Sequence, residues 1–170
     1  MIEKLSYLFD IDRLVSECND LILSIGLHNN QLSLKHPESC EENCWHIGTG
    51  SFKIEKSLAK LSQKDFTILN SELNDTYIKE VYEKITSDYS VGRFRIMCLP
   101  GQKCMTLHHD MTQRIHIPLV TNEDCLMIIQ DQVFHMPADG SAYLTDTYKR
   151  HTALNANWDF VRSHLVFDLI

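Results

Sequence analysis

The chain has 170 residues, 44% hydrophobic and 23% charged, with only six glycines and four prolines. That suits one globular domain with a real core and excludes the disordered and fibrous classes. Sixteen basic against twenty-three acidic residues leave a net charge of −7, and no lysine or arginine cluster stands out. A nucleic-acid duplex or an anionic membrane is therefore not an expected partner.

In chain order, the opening MIEKLSYLFDIDRL carries acids where a secretory signal needs an apolar stretch. No apolar run approaches membrane-spanning length. Six scattered cysteines (18, 40, 44, 98, 104 and 125) read as reduced thiols, which places the chain in the cytoplasm. Residues 10–26 predict a helix: Ile11, Leu14, Val15, Cys18, Leu21, Ile22 and Ile25 recur at steps of three and four and stop at Gly26. Residues 31–35 alternate like a strand, and residues 40–50 read as a loop. Cys40, Cys44 and His46 offer no fourth ligand at zinc spacing, so they are read as a loop with free thiols. A second helix is expected over 75–88, burying Tyr77, Ile78, Val81, Tyr82 and Ile85.

After Gly92 the period changes to two. Residues 93–99, 113–120, 125–130, 132–136, 141–146, 151–155 and 162–169 all read as strands, separated by turn chemistry at Pro100-Gly101, 122–124, 137–140 and 155–159. Seven short strands in so few residues predict an antiparallel sandwich or barrel, with a jelly roll the natural candidate. The chain is read as one domain over 1–170, with a helical or mixed part (1–91) and a β core (92–170).

Chemistry concentrates in LHHDM, where His108 and Asp110 stand two apart and, in an extended segment, point to the same side. His151 opens a later strand. Two imidazoles and a carboxylate leave three positions open on an octahedral metal, the arrangement of ferrous oxygenases. His109 competes with its neighbour for the ligand position, and the two-residue step to Asp110 selects His108. Arg162 begins the last strand, and Arg114 shares a face with His116. Guanidinium in a core-type strand needs an acidic partner. One reading pairs these arginines with Asp146 or Asp168 as staples of the sheet, and the other gives them a bound anion. His135 and His164 sit in strands and are read as satisfied structural histidines rather than ligands.

The run RFRIMCLPGQKCMTLHHDMTQRIHIPLVTN, followed by PADGSAYLTDTYKRHTALNANWDFVRSHLVFD, resembles the aspartyl/asparaginyl β-hydroxylase family and its cis-proline-hydroxylase relatives. The shared pattern is R…PG…HxD…RxHxPLxTN…G…D…H…N…RxHLV…D. The resemblance implies a mainly β, double-stranded β-helix (jelly roll, cupin-like) with flanking N-terminal helices, binding Fe(II) and 2-oxoglutarate. It implies that His108, Asp110 and His151 hold the metal and that Arg162 anchors the distal carboxylate of 2-oxoglutarate. Arg114 and His116 would help bind the co-substrate, with His164 and Asn155 in support. The family's hydroxylases of secreted domains lack the metal carboxylate that Asp110 supplies here, which turns the expectation toward an amino acid, free or in a peptide. Dioxygen is the further partner, and no nucleic acid or membrane is expected. A non-catalytic, cupin-like metal- or ligand-binding domain is the alternative, though it has no need of Arg162.

Overall fold

The structure is a computed structural model, described over residues 1–40, 44–51 and 61–170. Two helices and twelve strands appear in the order β1 (Ile2–Leu8), α1 (Ile11–Ile25), β2 (Gln31–Ser33), β3 (Lys35–Pro37), β4 (Phe66–Leu69), α2 (Tyr77–Thr86), β5 (Val91–Leu99), β6 (Lys103–Cys104), β7 (Arg114–Val120), β8 (Cys125–Ile129), β9 (Gln132–His135), β10 (Ser141–Thr145), β11 (His151–Asn155) and β12 (Arg162–Leu169). A six-stranded sheet has the order β1-β10-β7-β12-β5-β2, a four-stranded sheet β6-β11-β8-β9, and β3 pairs with β4. Every pairing is antiparallel.

All seven strands expected after Gly92 are present, and the described residues are mainly β with two α-helices. The N-terminal strand β1 was not expected, because its alternation of charged and apolar residues reads equally as a polar lead-in. It pairs with β10 at the sheet edge. The strand expected over 31–35 is two short strands, β2 and β3, that join different sheets. Residues 41–43 of the expected loop lie outside the described residues. The loop's cysteines depart from expectation: Cys40 and Cys44 are joined by a disulfide, which brings together two sulfurs only four residues apart.

Pleating divides the six-stranded sheet by chemistry. On one face Phe94 and Ile96 of β5, Ile115, Ile117 and Leu119 of β7, Ala142 of β10 and Leu165 and Phe167 of β12 form the main core. Phe94 and Phe167 stack with ring centroids 4.3 Å apart. Helix α1 contributes Leu14 and Cys18, and α2 contributes Ile78, Val81 and Ile85. Asp10 caps α1 by accepting from the Arg13 amide at 3.1 Å. Glu17 of α1 accepts from the Tyr77 and Ile78 amides, both at 3.0 Å, and so closes the N-terminus of α2 with a carboxylate. A second cluster of Met127, Ile129, Met136 and Tyr143 joins the small sheet to the large one. The turn before β10 needs glycine: Gly140 has φ 83°, and a Cβ there would lie 2.2 Å from the Phe9 carbonyl oxygen.

Lys35 is buried, donating to the Val91 carbonyl at 3.0 Å beside the Tyr82 ring. Burial pushes its ammonium down to about 8 from 10.5. The unfolded chain therefore binds the extra proton between those values, so stability rises across that window and the cost of burying the charge is complete below it. Lys35→Met is expected to exceed the wild type in urea midpoint near pH 7, with a gap that closes as pH approaches 10.5. A gap independent of pH would contradict this assignment.

Candidate functional site

The opposite face of the six-stranded sheet is polar. Period two brings Arg93, Arg95 and Met97 of β5, Arg114 and His116 of β7, and Arg162, His164, Val166 and Asp168 of β12 to this side. Met127 of β8 and His151 and Ala153 of β11 face it from the four-stranded sheet. Between the sheets lies a cleft of about 520 Å³, partly open to solvent, lined by Met97, Met105, His108, Arg114, His116, Met127, His151, Ala153, Arg162, His164 and Val166 among others.

At this cleft His108, Asp110 and His151 come together, their ligand atoms all within 4.8 Å of one another. Asp110 Oδ1 lies 3.7 Å from His108 Nε2 and Oδ2 lies 3.4 Å from His151 Nε2. The LHHDM segment is not the strand expected: a single two-way bridge ties His108 to His151, with N···O distances of 2.7 and 3.0 Å. Asp110 is held separately, its amide donating to the Thr147 carbonyl at 2.8 Å. His109 is exposed.

Backbone carbonyls select the histidine tautomers. His108 Nδ1 donates to Thr106 at 2.6 Å, and His151 Nδ1 donates to Lys149 at 2.9 Å. In its neutral form each ring then presents an Nε2 lone pair toward the carboxylate, and buried Asp110 Oδ2 meets Arg114 Nη2 at 3.0 Å as an ion pair outside hydrogen-bond geometry. Two imidazole lone pairs and a carboxylate converging with no proton between them fit a divalent cation, and carbonyl-oriented imidazoles are how such ligands are held.

Behind this cluster is a buried charge network that the sequence reading missed in part. Asp168, fully buried, accepts from Arg93 Nε at 3.0 Å, Arg95 Nη2 at 2.6 Å, Arg114 Nε at 2.6 Å and Gln63 Nε2 at 3.0 Å. Burial alone would raise its pKa, but the Arg95, Arg114 and Arg93 guanidiniums hold it far below the carboxylate range. Arg114 reaches on to Asp110, Nη2 to Oδ2 at 3.0 Å. Arg114 is thus stapled to Asp168, and Asp146 pairs instead with Lys149 at 3.3 Å. Arg93 also donates to the Gly48 and Gly50 carbonyls at 2.9 and 3.0 Å. Arg93 and Arg95 sit two apart in an otherwise apolar strand, a signal that both guanidiniums face one side.

Arg162 differs from these three. It is buried, and among the described residues no carboxylate lies within the 4.0 Å of an ion pair. Burial lowers its pKa to about 10. Its Nη2 donates to His164 Nδ1 at 3.3 Å, and the same nitrogen lies 3.3 Å from His116 Nδ1. Since Arg162 can only donate, His164 Nδ1 is an acceptor and His116 Nδ1 carries its proton toward it. His164 Nε2 therefore bears a hydrogen and His116 Nε2 a lone pair, both buried and unpartnered. Burial first, and Arg162 second, keeps both rings neutral by holding their pKa values well below the usual range.

Other expected residues fall elsewhere. Asn155 donates to the Leu99 and Phe160 carbonyls, both at 3.0 Å, and pins β11 rather than touching the metal cluster. His135 is exposed on β9 and is not a member of the metal-type cluster. Gln31 accepts from Arg95 at 2.8 Å and belongs to the charge network.

A model of the aspartyl/asparaginyl beta-hydroxylase family matches residues 62–170. Among curated proteins none matches the sequence. A viral collagen prolyl hydroxylase from Paramecium bursaria Chlorella virus-1 is similar in structure, with TM-score 0.52, 11% identity and coverage of 98% of this chain and 89% of that one. AviO1 from Streptomyces viridochromogenes has TM-score 0.50, 13% identity, and coverage of 99% and 88%. An oxidoreductase of the 2OG-Fe(II) oxygenase family from Burkholderia pseudomallei matches at 21% identity and TM-score 0.38, covering 58% of this chain and 52% of that one, so the chain spans about half its length. At these identities the first two likenesses are of fold.

Replacing Asp168 by Asn leaves three guanidiniums without their shared anion. A loss of about 3–5 kcal/mol in urea unfolding is expected; a loss below about 1 kcal/mol would mean that the arginines are neutralised by something else.

Proposed function

Because the chain belongs to the aspartyl/asparaginyl beta-hydroxylase family, we propose that it is a non-haem Fe(II)- and 2-oxoglutarate-dependent dioxygenase hydroxylating an amino acid, free or within a peptide. The observation that carries this reading is the pairing, in one cleft, of a two-histidine, one-carboxylate cluster with the buried Arg162 guanidinium, which meets no carboxylate among the described residues. The charge count agrees. Among the described residues, Arg95, Arg114 and Arg162 share this face with the carboxylates of Asp110 and Asp168, and a further anion would improve the charge balance of the cleft.

In this reading His108, Asp110 and His151 would hold the ferrous ion. Iron bound there would supply, with 2-oxoglutarate and dioxygen, the oxidation that turns a C–H bond into C–OH while the co-substrate becomes succinate and carbon dioxide. Arg162 grips the distal carboxylate of the co-substrate through a fork of donors, and the hydrogen on His164 Nε2 offers a second. His116 Nε2 offers an acceptor to the same cleft. Arg114, held rigid by Asp168, fixes Asp110 from behind, and its positive charge favours the ionised carboxylate against the effect of burial. Met97, Met105, Met127 and Val166 give the cleft an apolar lining that limits water.

Two antiparallel sheets enclosing such a cleft support the double-stranded β-helix, with residues 1–170 acting as one domain. A cytoplasmic setting suits a ferrous site. No helix among the described residues is long and apolar enough to cross a membrane.

The test is anaerobic purification, addition of Fe(II), 2-oxoglutarate and oxygen, and a screen of amino acids and peptides for substrate-dependent succinate. His108→Ala, Asp110→Ala and His151→Ala are each expected to lose at least about 100-fold in turnover, as lost ligands cost no less than their supporting partners. Arg162→Ala should raise the KM for 2-oxoglutarate about 10–100-fold, the worth of a charged hydrogen-bonded pair. His109→Ala should leave turnover intact; if it abolishes turnover while His108→Ala does not, the ligand assignment fails.

A further inference from the structure

Among the described residues a second group of metal-binding side chains converges: His36, Cys40 and Cys44, their ligand atoms all within 4.8 Å of one another. None of the three lines the cleft. His36 is buried on β3, and its Nδ1 donates to the Pro37 carbonyl at 3.0 Å. The same carbonyl accepts from the Cys40 amide at 3.0 Å. One oxygen thus sets both the turn that brings Cys40 back toward His36 and the tautomer of the ring. With its Nδ1 hydrogen committed, His36 keeps a lone pair on Nε2, the arrangement that backbone carbonyls also impose on His108 and His151. Cys40 and Cys44 are half-buried and disulfide-bonded, with Cα atoms 6.4 Å apart.

We propose that this corner is a redox-gated zinc site: a disulfide when oxidised, and a His36–Cys40–Cys44 site for Zn²⁺ when the two sulfurs are reduced. The spacing of three intervening residues falls within the C-x(2–4)-C range of zinc ligands, and soft thiolates with an imidazole select zinc over harder ions. Tetrahedral zinc with Zn–S near 2.3 Å needs sulfurs only about 3.8 Å apart, a small separation for a pair that starts in contact. Reduction by an external dithiol breaks the S–S bond, and that dithiol supplies two electrons and two protons as it closes to its own disulfide. Metal binding then releases both protons to solvent as two S–Zn bonds form. The two states exclude each other because the same sulfur electrons make either bond, and zinc undergoes no redox change.

The position gives the site a lever. Cys44 is followed by Trp45, whose carbonyl accepts from the Ser33 amide at 2.7 Å, and by Gly48 and Gly50, whose carbonyls accept from Arg93. The clasp therefore anchors the chain that covers the arginine network. The inference does not depend on the proposed oxygenase activity.

The test uses Co²⁺ as the probe, on full-length protein reduced with a phosphine and exchanged into anaerobic buffer. The expected result is a near-ultraviolet thiolate-to-cobalt charge-transfer band that saturates at one equivalent and is displaced by Zn²⁺. Cys40→Ser and Cys44→Ser should each remove it, His36→Ala should weaken binding about tenfold or more, and diamide-oxidised protein should show no band. Asp110→Ala should retain the band, which separates this site from the His108–Asp110–His151 cluster, where no ligand is a thiolate. A reduced protein with no band dependent on Cys40 and Cys44 would overturn the proposal, as would a disulfide that the phosphine cannot open in the folded chain.

Discussion

The buried carboxylate of Asp168 is the constraint around which the cleft is organised. A single anion removed from water and surrounded by three guanidiniums holds β5, β7 and β12 at a common level, because each strand donates at least one arginine or the carboxylate itself. Desolvating this many charges is costly, and the cost is offset only while every partner keeps its geometry. The same network carries that rigidity outward: Arg114 touches Asp168 with one side of its fork and Asp110 with the other. A ligand carboxylate is thereby positioned by a salt bridge to the sheet, although its own backbone lies in a loop.

The two faces of the large sheet do different work. Aliphatic and aromatic side chains pack under the helices and supply the hydrophobic stabilisation. The reverse face carries charge and imidazole, which the apolar side makes affordable and the small sheet covers. Arg162 and the His116–His164 pair occupy that covered face, where the Nε2 atoms of both rings have no hydrogen-bond partner. Buried donors and acceptors without partners are destabilising on their own account, so their presence in a cleft beside the metal-type cluster argues for a polar ligand there.

The β-rich half was legible because alternation of apolar and polar residues is a local property, and turn residues mark its ends. Helix α1 was legible for the same reason, with its acid cap and terminal glycine. Strand β1 was not, since an edge strand with one exposed side has a weak alternation that only its partner β10 makes decisive. Within the site, the types and order of His108, Asp110, His151 and Arg162 were visible, whereas the partner of Arg114 stayed open between Asp146 and Asp168. That choice depends on which carboxylate the β7–β12 register brings alongside: Asp168 lies opposite Arg114 in that pairing.

The amino-acid sequence by itself determined the strand pattern, the amphipathic helices and the set of residues able to carry metal and anion chemistry, because these follow from side-chain type and local period. Only the tertiary structure decided how they meet. The His108–His151 bridge, the convergence of three arginines on Asp168, the opposed tautomers of His116 and His164, and the meeting of Cys40 and Cys44 beside His36 all join residues through registers, turns and cross-sheet contacts. Pairwise distance between remote positions is not encoded in any local pattern; it emerges when the sheets close and buried charges must find partners.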